Sequence, residues 1–97
     1  MKIVLPTISE CTFYPLRPSP KGLIGIASCL FDGRLRLDCV SVYSTPAGDI
    51  RLLFPDKTLP NGKKINVYFP VDRATYDAIR LGVLEKINTV KENVKGF

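Results

Sequence analysis

The sequence predicts an α+β domain: an antiparallel β-meander sheet of about five strands followed by one C-terminal α-helix packed on the sheet. Three observations predict it. Short apolar runs recur as far as Phe69, and some alternate strictly, as Leu35, Leu37 and Cys39 do against Arg34, Arg36 and Asp38. Turn-forming clusters separate the runs: Arg17-Pro18-Ser19-Pro20-Lys21-Gly22, Asp32-Gly33, Thr45-Pro46-Ala47-Gly48 and Pro60-Asn61-Gly62. After Asp72 the period changes, with Tyr76, Ile79, Val83, Ile87, Val90 and Val94 at steps of three and four.

The elements follow in order. Ile8 to Leu16 is the first strand, and Pro6 and Pro15 place it at a sheet edge because proline cannot donate to a ladder. Leu23 to Phe31 is the second. Asp32-Gly33 then makes a two-residue hairpin, since both residues tolerate positive φ. In that register Leu30 faces Leu35, Ser28 faces Leu37 and Ile26 faces Cys39. Ile24, Ile26, Leu30, Leu35, Leu37 and Cys39 then share one apolar face, while Cys29 falls opposite Arg36 on the other.

Arg34 to Ser44 is the third strand and Asp49 to Phe54 the fourth, with Ile50, Leu52 and Phe54 alternating against Arg51 and Leu53. A loop from Phe54 to Lys64 reverses at Pro60-Asn61-Gly62, and Lys64 to Phe69 returns as the fifth strand. Pro70 ends the sheet and Asp72 is the helix N-cap, its carboxylate accepting from free N–H groups of the first turn. Gly82 within the helix implies a kink or a close packing contact, and Gly96 is a candidate stop.

A chain of 97 residues suits one domain, 1–97, and its hydrophobic fraction of 45% suits a folded one. The formal net charge is +5, which favours anionic partners such as nucleic acid. Cys11, Cys29 and Cys39 contain no C-x-x-C pair, and the chain has no histidine. Buried reduced thiols are expected rather than a disulfide framework or a zinc site. Without histidine there is no histidine-based triad or acid–base pair, and no phosphate-cradling glycine motif is present. No enzyme, cofactor, metal site or small-molecule substrate is therefore expected. No stretch is long and apolar enough for a membrane span, so the expected location is cytoplasmic.

The loop after the fourth strand holds Lys57, Lys63 and Lys64 against one acid, Asp56. Lysines on a reversal can reach phosphate oxygens and gain affinity through counterion release. They can equally serve only to keep a hairpin soluble. On the helix surface Arg73 and Arg80 either extend that cationic patch or pair with Asp77 at helical spacing. Tyr68 and Tyr76 lie near the patch in sequence and either stack on a base or pack sheet against helix.

A collinear series of residues carries a family resemblance. It runs through Ile26-Ala27-Ser28, Asp38-Cys39-Val40-Ser41-Val42, Phe54-Pro55-Asp56-Lys57 and Leu59-Pro60-Asn61-Gly62. It continues through Phe69-Pro70-Val71, Thr75, Ala78-Ile79 and Val83-Leu84. With these residues the chain resembles the SpoVG family, the stage V sporulation or septation proteins of bacteria, over about Arg17 to Ile87. The family loop is similar to P-S-K-x-T-P-D-G; Pro55, Lys57, Pro60 and Gly62 match it, and Asp56, Leu59 and Asn61 differ.

The resemblance implies a small antiparallel sheet followed by a helix, a homodimer formed through sheet contacts, and a regulatory protein that binds DNA and in some members RNA. On that reading Lys57, Lys63 and Lys64 contact phosphates, with Arg73 and Arg80 beside them. Two departures bear on it. Tyr76 and Ala78 stand where the family often has Arg and Lys early in the helix. Lys63, Lys64 and Ile65 stand where it tends toward an acid, an aromatic and an arginine. The reading from a different class is a non-enzymatic interaction module or structural dimer that pairs an exposed sheet edge with a partner.

Overall fold

The computed structural model describes residues 5–17 and 19–94, with backbone alone for 90–94. The fold is α+β. Strands β1 (Ile8–Pro15), β2 (Leu23–Phe31), β3 (Leu35–Ser44) and β4 (Ile50–Leu53) form one antiparallel sheet in that order. Strands β5 (Asp56–Thr58) and β6 (Lys64–Asn66) pair only with each other, and helix α1 (Arg73–Val94) closes the described chain.

The helix forms as its sequence dictates. Asp72 caps it: Oδ2 accepts from Thr75 N at 2.9 Å and Oδ1 from the Thr75 hydroxyl at 2.7 Å. These bonds to the charged form hold the Asp72 carboxyl below its usual pKa. Ile79, Val83 and Ile87 of the apolar stripe are buried. They close a core with Ala27 and Cys29 of β2, Leu37, Val40 and Val42 of β3, and Ile50 and Leu52 of β4. Gly82 is a contact point rather than a kink. A Cβ there would lie 2.9 Å from Ile8 Cγ2 and 3.2 Å from Cys11 Sγ, so its absence lets the helix settle onto β1. The side chains of Val90 and Val94 and the expected stop at Gly96 lie outside what is described.

The hairpin register differs from the expected one in two steps. Asp32 and Gly33 do take positive φ, 52° and 68°, and Arg34 N donates to Phe31 O at 3.0 Å. Arg34, however, is an extra residue, so Phe31 pairs with Leu35 and Cys29 with Leu37. A bulge then sets Asp38 and Cys39 against Ser28, with Cys39 at φ 63°, and Ala27 pairs with Val40.

The core face of β2 is therefore its small-residue face, Gly25, Ala27 and Cys29, and not the face of Ile24, Ile26 and Leu30. Small side chains admit the helix at close range. Cys29 is buried, Cys11 half-buried and Cys39 exposed at its bulge, so not all three thiols are buried as expected; all three are free.

The expected fifth strand does not join the sheet. Pro55 interrupts donation to the ladder as the chain leaves β4. The outward edge of β4 is also already satisfied. Ile50 N donates to Asp49 Oδ1 at 2.7 Å and Leu52 N to the Tyr76 hydroxyl at 3.0 Å. A strand arriving there would find those donors occupied. The returning segment pairs instead with Asp56–Thr58, which the sequence reading leaves as loop, and it ends at Asn66 rather than Phe69.

Candidate nucleic-acid interface

The chain between Pro55 and Val67 forms a two-stranded ribbon that stands off the rest of the fold. Asp56 pairs with Asn66, Lys57 with Ile65 and Thr58 with Lys64. The pairing continues beyond the strands, with Leu59 N donating to Lys63 O at 2.7 Å and Val67 N to Pro55 O at 3.0 Å. At the tip Gly62 takes φ +86° and donates to Leu59 O at 2.9 Å. Asn61 Oδ1 accepts from Lys63 N at 3.0 Å, the side-chain turn that asparagine favours. Neither β5 nor β6 touches the sheet or the helix, and every residue of both is exposed.

Aromatic packing anchors the root of the ribbon. Phe54 meets Tyr68 edge-on at 5.8 Å and Tyr76 at 6.2 Å. The Tyr68 hydroxyl donates to the Asp38 carbonyl, and burial foremost pushes its pKa up to about 12. Tyr68 and Tyr76 thus join ribbon, sheet and helix, the packing role rather than the base-stacking one. Beside the root lies an apolar cleft of about 290 Å³ lined by Leu35, Phe69 and Val71 among others. Val71 is 88% exposed and Leu35, Val67 and Phe69 more than half exposed.

Register divides the lysines between the two faces of the ribbon. Lys57 and Lys63 share a face with Ile65, Leu59 and Val67. Lys64 shares the other with Thr58, Asp56 and Asn66. Among the described residues none of the three lysines is in an ion pair.

The helix arginines differ from them. Arg80 Nη1 lies 2.9 and 3.0 Å from the two Asp49 oxygens and its side chain is 20% exposed, so it ties the helix to the β3–β4 turn. Arg73 is exposed, 3.4 Å from Asp77 and over the Tyr76 ring at 5.5 Å. Asp77 Oδ1 is 3.7 Å from Arg80 Nε and accepts no hydrogen bond, so it compensates both arginines by charge alone. The pairing anticipated at helical spacing is therefore present for both.

Thr58 and Asn66 carry hydrogen-bonding side chains on the ribbon that reading the stretch as a loop passed over. Folding the sequence symmetrically about Pro60-Asn61-Gly62 would have found them, since it sets Thr58 against Lys64 and Asp56 against Asn66. Among the described residues no group of histidine, cysteine, aspartate or glutamate side chains could hold a metal ion. Cys11 and Cys29 face each other across the β1 bulge, and burial raises both thiol pKa values, that of Cys29 to about 11, so both remain protonated at neutral pH. Among the same residues no helix is long and apolar enough to cross a membrane.

No protein-family model matches this chain, and no curated protein matches it.

Proposed function

We propose that this chain is a SpoVG-like regulatory protein of the cytoplasm that binds nucleic acid as a homodimer, its cationic ribbon contacting phosphates. The observation that carries the reading is the ribbon itself: three exposed lysines without acidic partners, held on an element that packs against nothing else in the fold. Lysines in that state have counterions to release when they meet a polyanion. Arg73, exposed at the helix start, lies near the aromatic root and extends the surface. Arg80 contributes by fixing the helix to the β3–β4 turn, since its guanidinium is committed to Asp49.

A second copy of the chain covers the apolar cleft beside the root, where Phe69 and Val71 are otherwise left to water. This differs from pairing through an exposed sheet edge. The outward donors of β4 are taken by Asp49 and Tyr76, and β1 carries a bulge and ends on Pro15.

The test is gel retardation of random duplex DNA and of RNA across a salt titration, for the wild type and for the triple variant Lys57→Ala, Lys63→Ala, Lys64→Ala. Three lost phosphate contacts lower the magnitude of the log–log salt slope by about 3 on duplex DNA. An unchanged slope removes the ribbon from the interface. Sedimentation of Val71→Asp beside the wild type tests the dimer, and the variant is expected to run as a monomer.

A further inference from the structure

We propose that the ribbon reads base edges, its Asp56, Thr58, Lys64 and Asn66 face entering the major groove of B-form DNA. The inference rests on the nucleic-acid reading above and assigns its sequence-reading residues.

Shape is the first ground. The major groove of B-DNA, about 12 Å wide, admits a two-stranded β-ribbon as well as a helix. Here β5 and β6 form such a ribbon, with strands about 4.8 Å apart by ladder geometry and both faces exposed. Its continued pairing from Pro55–Val67 to Leu59–Lys63 makes it roughly 16 Å long at strand rise, enough to lie across several base pairs. The helix is less suited to enter a groove. Its apolar stripe is buried against the sheet, and Arg73 and Arg80 are engaged with Asp77 and Asp49.

Chemistry is the second ground. The two faces of the ribbon differ in kind. One combines Lys57 and Lys63 with Leu59, Ile65 and Val67. The other carries only hydrogen-bonding side chains, Asp56 and Thr58 on β5 with Lys64 and Asn66 on β6. These types match base edges: asparagine pairs with the adenine N6/N7 edge, lysine with guanine O6/N7, aspartate accepts from cytosine N4, and threonine meets either a polar edge or the thymine methyl. Among the described residues none of these four side chains makes a hydrogen bond to the rest of the protein, so all are free for a ligand.

Packing is the third. A lone two-stranded hairpin is marginal in water, and this one is held by its turn bonds and its aromatic root rather than by burial of its own side chains. Its residue types are therefore not explained by the core. With the polar face toward the bases, Lys57 and Lys63 remain for the flanking phosphates. A-form duplexes do not admit the ribbon, because their major groove is deep and narrow.

The test is selection of bound sequences by the full wild-type chain from random pools of duplex DNA, duplex RNA and single-stranded RNA. Competition binding of the selected site against random duplex DNA follows, for the wild type and for Thr58→Ala with Asn66→Ala. The expected result is an enriched duplex DNA motif. The double variant should lose roughly ten- to hundred-fold of its preference for that motif, given the discrimination of one good base contact. Its binding to random duplex and its salt slope should stay unchanged, which also shows that it folds. Lys57→Ala with Lys63→Ala should weaken all sequences alike.

If the double variant keeps the wild-type preference, the ribbon face is not the reader, while the nucleic-acid reading stands. Enrichment only from an RNA pool overturns groove entry and keeps phosphate binding. If the wild type retains no nucleic acid at low salt, both readings fall.

Discussion

The sheet with its helix and the ribbon are two regions built on opposite terms. In the first, ten apolar side chains of β2, β3, β4 and α1 share one core, and Ile79, Val40 and Val83 are at most 1% exposed. In the second, six strand residues are all exposed, and backbone bonds with one turn side chain hold the conformation. Where burial governs, a residue's identity reports packing. Where it does not, identity reports solubility or a partner. Lysines and asparagine on the ribbon are informative about function for that reason, whereas the buried cysteine of β2 is not.

The largest break in this comparison comes from truncating the core. Ile79→Ala is expected to cost about 2–5 kcal/mol, as for other buried isoleucines. The same truncation on the ribbon, Ile65→Ala, should stay within about 0.5 kcal/mol. Urea unfolding midpoints of the two variants check this, and equal losses would mean that the ribbon packs in solution.

Next is Gly25→Ala. A Cβ at Gly25 would lie 2.5 Å from the Phe13 ring and 2.6 Å from Tyr14 O, so β1 must shift, at about 1–3 kcal/mol. Gly62→Ala, at the ribbon tip, meets nothing within 4 Å and suffers only from its φ of +86°. Thermal melts should therefore rank Gly25→Ala well below Gly62→Ala.

Smaller effects come from titration. The folded carboxyl of Asp72 has a lowered pKa, so its contribution is present above the unfolded value and is lost as pH falls through the folded one. Helicity of Asp72→Asn should consequently be less acid-sensitive than that of the wild type, as circular dichroism between neutral and acid pH would record. Tyr68 is the reverse case. Its pKa is raised to about 12, so its contribution is complete below the unfolded value near 10 and fades as pH rises through 12. Phenolate absorbance should show one late-titrating tyrosine that disappears in Tyr68→Phe. The smallest perturbation is thiol labelling, in which Cys39, exposed at its bulge, should react in the native state while Cys29 waits for unfolding.

Much of the fold was legible. Asp72 as N-cap, the Ile79–Val83–Ile87 stripe, the Asp32-Gly33 reversal and the span of β2 all follow from nearest-neighbour chemistry. The candidate site was legible as a cationic reversal, though not as a ribbon with two unlike faces. What was missed was non-local. An extra residue at Arg34 and a bulge at Cys39 move the β2–β3 register, and alternation cannot reveal either, because β2 is apolar on both faces. The fate of Lys64 to Asn66 depended on β4's outward donors, one of them satisfied by Tyr76, 24 residues further along the chain.

By itself, then, the sequence determined the turns, the caps, the periods and the charge, since each depends on residues within a few positions of one another. Only the tertiary structure decided which face of β2 turned inward and which strand stood apart. A helix approaches closely over Gly25, Ala27 and Cys29, as it could not over Ile24 and Ile26, and a sheet edge whose donors are already bonded accepts no further strand.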